Sequence, residues 1–311
     1  MNAAHTFAPG LAAPTTIAEY LDRLRAALAG ADPALVQDAL YDAEDYLRSE
    51  MAANPGRSEA QVIADVAGSY GAPDEVADIY RDTEVRVQTA LQAPKPAARR
   101  SALGRFFGVA AEPRTYAALF YMLLSLATGI FYFTWTVTGL SLSAGLSVLI
   151  IGIPFVILFF GSVRVLSLVE GRLVEVMLGE RMPRRPLYVT RDAPLLERIK
   201  AMFVDPRTWG TMLYMLLMLP LGIVYFTVAV TLLSVAAGFI AAPVLALFAW
   251  AGGVPFDNFE VSGVDYWGLP FVFVGGVVLL FATLHLARAI GHLHGQLAKH
   301  MLVRSGPAYA G

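Results

Sequence analysis

The sequence predicts an all-α protein: a small soluble N-terminal helical domain, then a polytopic α-helical membrane domain of two tandem repeated hairpins with four transmembrane helices. Three observations carry this reading. Apolar residues make up 57% of the 311 positions and charged residues 15%, but the charges are segregated. Residues 115–163 and 208–256 contain no Asp, Glu, Lys or Arg, and each run is 49 residues long. A bilayer-crossing helix needs about 20. The two runs are also copies of each other. Between 113–145 and 206–238, an offset of 93, 19 of 33 positions are identical, including Tyr121/Tyr214, Gly129/Gly222 and the Tyr-Phe-Thr triplets at 132–134 and 225–227. Such a duplication marks one folding unit repeated and packed against its copy.

The N-terminal part reads as helical in order along the chain. A tail, 1–14, is expected to be disordered, and the helical domain covers 15–92. Ile17, Tyr20, Leu21, Leu24 and Leu28 recur at helical spacing. Pro33 can open a second helix, with Leu35, Ala39, Leu40 and Leu47 on one side and acids on the other. Asn54-Pro-Gly56 is a turn, and Ser58-Glu-Ala-Gln61 has the capping-box pattern. Gly71 suits a left-handed helix end, and Pro73 begins a fourth helix running to about Leu91. The acids of the second helix are first of all its solvated face. Asp42, Glu44, Asp45 and Tyr46 are also the candidates for contact with a partner protein.

Tyr20-Leu-x-x-Leu24, Leu40-Tyr-Asp-Ala-Glu-Asp-Tyr-Leu47, Ser58-Glu-Ala and Gly71-Ala-Pro-Asp-Glu-Val-Ala77 together resemble the HAAS domain. That α-helical signalling module is often found beside PadR-type transcription regulators. The resemblance implies a cytoplasmic protein partner, with a PadR-type regulator as the natural candidate.

Residues 93–112 form a linker and an amphipathic lead-in, with Leu103, Phe106, Phe107 and Val109 apolar. A second such segment carries Leu195, Leu196, Ile199, Met202 and Phe203. Both are expected to lie along the membrane surface. The membrane domain covers 113–304, with repeats at 113–180 and 206–304, and a tail follows at 305–311. Spans are placed near 115–137, 145–166, 208–232 and 268–288. Arg164/Arg288, Gly171/Gly295 and Met177-Leu178/Met301-Leu302 match at an offset of 124, so the second hairpin carries 31 extra residues at its tip (124 − 93). Lys and Arg cluster before the first span, between the hairpins and after the last span, whereas the hairpin tips have none. The positive-inside rule then puts both termini in the cytoplasm. A fifth crossing at 236–250 would put the basic tail outside, so this stretch is expected to be re-entrant or interfacial, broken at Pro243 and Gly252-Gly253.

Several residues are candidates for sensing. The tip insertion places Asp257, Glu260, Asp265, Tyr266 and Trp267 on the outer face; the plain alternative is a solvated loop with an aromatic belt. Within the bilayer the polar candidates are Tyr132, Thr134, Thr138, Tyr225, Thr227, Thr231 and His285. Tyr132 stands 18 residues after Arg114, about 27 Å along a helix, which fits an aromatic girdle. The threonines can bond carbonyls of the preceding turn or line a cleft between the repeats. Gly129 and Gly222 permit close helix approach.

Absences narrow the chemistry. Zero cysteines remove disulfides, thiolate ligands and a thiol nucleophile. No phosphate-binding loop, zinc-protease His pair or Gly-x-Ser-x-Gly is present. His285 and His292 share a face of the last helix but lack ligands at the matching positions of the first hairpin, so neither a metal nor any other cofactor is expected. The arginine-rich connections are explained by topology and anionic lipid rather than by direct nucleic-acid binding. A homo-oligomer is compatible with the sequence.

Arg114-Thr-Tyr-x-x-Leu-x-Tyr121, Gly152-Ile-Pro154, Asp205-Pro-Arg-Thr-Trp-x-x-Met-Leu-Tyr214, Leu219-Pro-Leu-Gly-Ile223 and Val230-Thr-Leu-Leu-Ser234 resemble the sensor domain found N-terminal to many actinobacterial histidine kinases. There the unit is a four-helix membrane input module, so the resemblance implies the inner membrane of a bacterium. Here the sequence ends at Gly311 with no kinase, so the resemblance makes the front domain the output. The expectation is a non-enzymatic membrane sensory or regulatory protein relaying an envelope signal to a cytoplasmic partner. The alternative is a non-catalytic subunit of a transport or assembly system; a metal enzyme built on the outer acids is the remotest reading.

Overall fold

The computed structural model describes residues 13–91, 101–146, 152–185, 204–252 and 266–303. The tails, most of the linker, the second amphipathic segment and the acids of the tip insertion lie outside the described residues. Among the described residues there are nine α-helices and no strand.

Helices α1 (Ile17–Ala27), α2 (Pro33–Ala53), α3 (Glu59–Ser69) and α4 (Pro73–Leu91) form the N-terminal domain. Their ends are set by local chemistry. The Thr16 hydroxyl accepts from the Glu19 amide, Asp32 caps α2 ahead of Pro33, and Ser58 and Gln61 close a reciprocal capping box. Gly30 and Gly71 hold φ of +81° and +119°, where an L side chain is strained. The core contains Tyr20, Leu24, Leu28 and Leu47 of the stripes read from the sequence and adds Ile63 and Val66 of α3, all buried. The Tyr20 hydroxyl donates to the Gly71 carbonyl at 2.8 Å, so the largest core side chain also ties α1 to the α3–α4 turn.

A short helix, α5 (Ala102–Gly108), and a 3-10 turn (Val109–Ala111) lead into the membrane domain. Four helices there are long and apolar enough to cross a bilayer: α6 (Pro113–Leu146), α7 (Gly152–Leu178), α8 (Pro206–Ala251) and α9 (Leu269–Leu302). Their count agrees with the four spans expected; their lengths do not. Each runs beyond the ~20 residues a crossing requires.

The expected break at Pro243 is not there, whereas the helix does end at Gly252. Helix α8 continues through Pro220 and Pro243 for 46 residues, about 69 Å at 1.5 Å per residue. Ala236 and Ala246 are buried, and Gly276 of α9 lies against Phe239 and Ile240. Side-by-side packing of this stretch on α9 holds it helical, and a proline inside such a helix loses one hydrogen bond that neighbouring elements tolerate.

The heart of the membrane domain is the α6–α8 crossing. A Cβ added at Gly129 would collide with the backbone carbonyl of Met218, and one at Gly222 with that of Ser125. These contacts are reciprocal: 129 and 222, like 125 and 218, differ by the repeat offset of 93. The flanking ion pairs follow the same exchange. Arg164 of α7 approaches Asp205 before α8 at 3.9 Å, and Arg288 of α9 meets Glu112 before α6 at 2.6 Å. Each second helix of a hairpin is thus tied to the first helix of the other hairpin.

Candidate functional site

Helices α7 and α9 each bury an apolar stripe in which one titratable side chain is set. In α7 the stripe runs through Phe160, Val163, Glu170 and Val174; in α9 it runs through Leu284, Ala287, Gly291, His294 and Ala298. Helical periodicity turns Glu170 and His294 into the bundle, where both are only 1% exposed. Two further helices supply their partners. The Tyr121 hydroxyl of α6 lies 2.6 Å from Glu170 Oε1 and 2.7 Å from His294 Nε2. The Tyr214 hydroxyl of α8 lies 2.9 Å from each of the same two atoms. Tyr132 donates to Glu170 Oε2 at 3.0 Å, and the Tyr225 hydroxyl lies 3.3 Å from His294 Nδ1.

Six side chains from four helices therefore form one closed network. A buried carboxylate is tolerable only when its oxygens are hydrogen-bonded, and Glu170 has three phenol donors. The network is also paired by the repeat: Tyr121/Tyr214 and Tyr132/Tyr225 differ by 93, and Glu170/His294 by 124. The one departure from equivalence is chemical, an acid in one half and an imidazole in the other.

The network lies at the end of the bundle nearest the N-terminal domain. Ala34 of α2 shares a core cluster with Tyr121, Tyr214, Val174, Met182 and Leu302. Around Ala34 the two domains are clasped by polar contacts. Gly179, at φ +77°, turns the chain out of α7 into Arg181–Arg185, and Asp38 of α2 meets this strap. Its Oδ1 accepts from the Arg184 and Arg185 amides at 2.7 and 2.8 Å, and its Oδ2 from Arg181 Nη2 at 3.1 Å. Burial pushes the Asp38 carboxyl above the usual carboxylate range, while the two amides and the Arg181 guanidinium pull it down. Gln37 bonds both the Arg185 carbonyl and Arg207, and Lys299 of α9 reaches Asp32 at 2.5 Å.

The family described as "Putative sensor" matches residues 121–302, well over half of the chain and spanning every member of the network. The chain belongs to this family. Ahead of the sensor domain, residues 19–79 match HAAS, so the front helices are a HAAS domain. No curated protein and no solved structure matches the chain. A HAAS domain joined to a sensor domain with four candidate spans makes this a multi-pass membrane protein whose domains fit a sensory or regulatory role.

Of the residues singled out from the sequence of the sensor domain, Tyr132 and Tyr225 enter the network. Tyr132 is buried at 3% exposure, so it is a network donor rather than a member of an outer aromatic girdle. Thr134, Thr138, Thr227 and Thr231 are on exposed faces of α6 and α8 and do not line the space between the repeats. His285 is half-buried, stacks on Phe106 and faces the Phe106 carbonyl at 3.0 Å. That contact fixes the lead-in helix against α9. Asp257, Glu260 and Asp265 lie outside the described residues. Tyr266 opens a 3-10 turn before α9, and Trp267 beside it is exposed.

In the HAAS domain, Asp42 accepts from Tyr80 at 3.0 Å and pairs with Arg185 at 2.8 Å. Glu44 is buried and pairs with Arg48, and Tyr46 stacks on Tyr70. Asp45 is exposed. Glu170 and His294 are not among the candidates the sequence offers, because the spans expected there end at 166 and 288 and the turns that follow are assigned to the cytoplasm. The signal was nevertheless present: both precede the matched glycines 171 and 295, one heptad after Val163 and Ala287. Among the described residues no group of three or more His, Asp or Glu could hold a metal.

Proposed function

We propose that this protein senses a condition of the envelope or membrane through its sensor domain and relays it, without catalysis, to a cytoplasmic protein through the HAAS domain. The observation that carries this reading is the clasp of Asp38 on the Arg181–Arg185 strap. The strap follows directly on α7, and Glu170 lies nine residues before Gly179, about 14 Å along the helix. A change in how α7 packs in the bundle moves the strap, and the strap sets how the HAAS domain docks. Coupling of this kind requires an element with two arrangements biased at both ends, and α7 with its strap is that element.

In this reading both termini face the cytoplasm of a bacterial cell, and the tip residues Asp257, Glu260, Asp265, Tyr266 and Trp267 face outward. The exposed part of the acidic helix around Asp45 receives the partner, for which a PadR-type transcription regulator is the candidate. The test is photo-crosslinking from position 45 of the full chain in native membranes. Capture of a transcription regulator, with a yield altered by Asp38→Ala, supports the relay. Capture of a transport ATPase, or of a regulator at a yield indifferent to Asp38, overturns it.

A further inference from the structure

We propose that the Glu170–His294 network is a binding site for one proton, and that Tyr225 reports whether the proton is there. The argument is an accounting of donors and acceptors. Glu170 Oε1 faces the hydroxyls of both Tyr121 and Tyr214, and Oε2 faces that of Tyr132. With Glu170 ionised, the three phenols donate to it. His294 Nε2 faces the same two phenol oxygens and so carries its hydrogen, leaving Nδ1 as an acceptor for Tyr225. Every polar atom is then satisfied, and the network carries one negative charge.

One added proton is accommodated without breaking a contact. It resides on the imidazole, or passes through Tyr121 or Tyr214 to the carboxylate as the hydrogens along that path each shift by one atom. In both arrangements Nδ1 now bears hydrogen, and the Tyr225 oxygen accepts where its hydroxyl had donated. The network becomes neutral overall. A second proton would leave a net positive charge in a buried site with no anion to balance it, so the site takes one.

The four tyrosines are the titratable groups of α6 and α8 that face the Glu170–His294 pair. Charges elsewhere on α7, α9 and the strap are engaged: Glu175 with Arg172, Arg181 and Arg184, Glu180 with His292, and Lys299 with Asp32. Tyr225 is also the one member that is not buried. Tyr132, its counterpart, closes the acid side, while half-buried Tyr225 opens the imidazole side. In this proposal the proton enters and leaves by that partly exposed side.

The site deepens the proposed sensory reading by naming a stimulus, but it is tested without the relay. Nitrogen NMR of the full chain in lipid nanodiscs, labelled at histidine and assigned with His294→Gln, reads Nδ1 across pH. The expected result is one protonation step at Nδ1. Tyr225→Phe, which removes the acceptor for a charged or polar N–H, moves the step toward acid by roughly one pH unit. Glu170→Gln moves it further or abolishes it, since the protonated imidazole then has no counter-charge. Asp38→Ala leaves the step in place, separating loss of the relay from loss of the site. An Nδ1 step unmoved by Tyr225→Phe overturns the proposal, as does Nδ1 hydrogen present at every pH. Tyr225→Phe decides alone if Glu170→Gln does not fold.

Discussion

Glu170 and His294 share two phenol hydroxyls, those of Tyr121 and Tyr214, each within 2.9 Å of both residues. The acid and the imidazole stand at matched places in the two halves of the sensor domain, each completed by a third tyrosine of its own half.

Removing one member should therefore be worse than exchanging the two. Glu170→Ala removes the carboxylate to which three phenols donate, and loss of one partner from a buried charged network costs about 3 kcal/mol. The double exchange Glu170→His with His294→Glu keeps one acid and one base among the same four tyrosines. It should recover most of that loss, read as the midpoint of thermal unfolding in detergent. A double variant no more stable than Glu170→Ala would mean that the two places are not equivalent.

The α6–α8 crossing depends on two missing side chains. Gly129→Ala or Gly222→Ala places a methyl group inside a neighbouring carbonyl, and such overpacking costs about 1–3 kcal/mol. The two variants should act alike. Disulfide crosslinking between cysteines introduced at Ser125 and Met218 should slow in both, because the helices separate.

Asp38 should behave as the pin of the interdomain clasp. Its replacement by Ala leaves the Arg184 and Arg185 amides and the Arg181 guanidinium short of an acceptor, a loss of about 2–3 kcal/mol at this contact. The HAAS fold itself rests on a separate core. Limited proteolysis should then cut the Arg181–Arg185 strap faster in Asp38→Ala, while the HAAS fragment stays resistant. Equal cutting rates would refute the pin.

The HAAS domain should also show a defined alkaline limit. Burial, above all, pushes the Tyr20 and Tyr80 phenols above their ordinary value, so the folded state holds these protons more tightly than the unfolded chain. The stability this contributes is complete below the ordinary phenol value of about 10 and is lost as pH rises through the raised ones. Phenolate absorbance from these residues should appear only together with loss of helical circular dichroism. Phenolate forming at the ordinary value, with helicity intact, would contradict their burial.

The number of membrane helices, the four HAAS helices and the Ser58–Gln61 capping box were legible in the sequence, because each rests on local chemistry. Charge-free length sets a span, Ser58 and Gln61 set a cap, and the Ile17–Leu28 stripe sets a buried face. The repeat also carried tertiary information: the reciprocal glycines 129 and 222 could be named as contact points from sequence. Two features were decided elsewhere. Pro243 is a breaker on local grounds, yet the Phe239–Ile240 turn packs on Gly276 and the helix continues. Glu170 reads as solvated on a cytoplasmic extension, yet it is drawn inward by phenols from two other helices, one of them 49 residues away and another 44.

The sequence by itself determined the all-helical class, the number of long apolar helices, and that two stretches of the membrane half are similar in sequence. Only the tertiary structure decided that those pieces interlock, placing Glu170 and His294 on common tyrosines and Asp38 against the strap. The physical reason is that helix formation is dictated by neighbours along the chain, whereas the burial of a charge depends on donors arriving from remote segments, and no local pattern records their arrival.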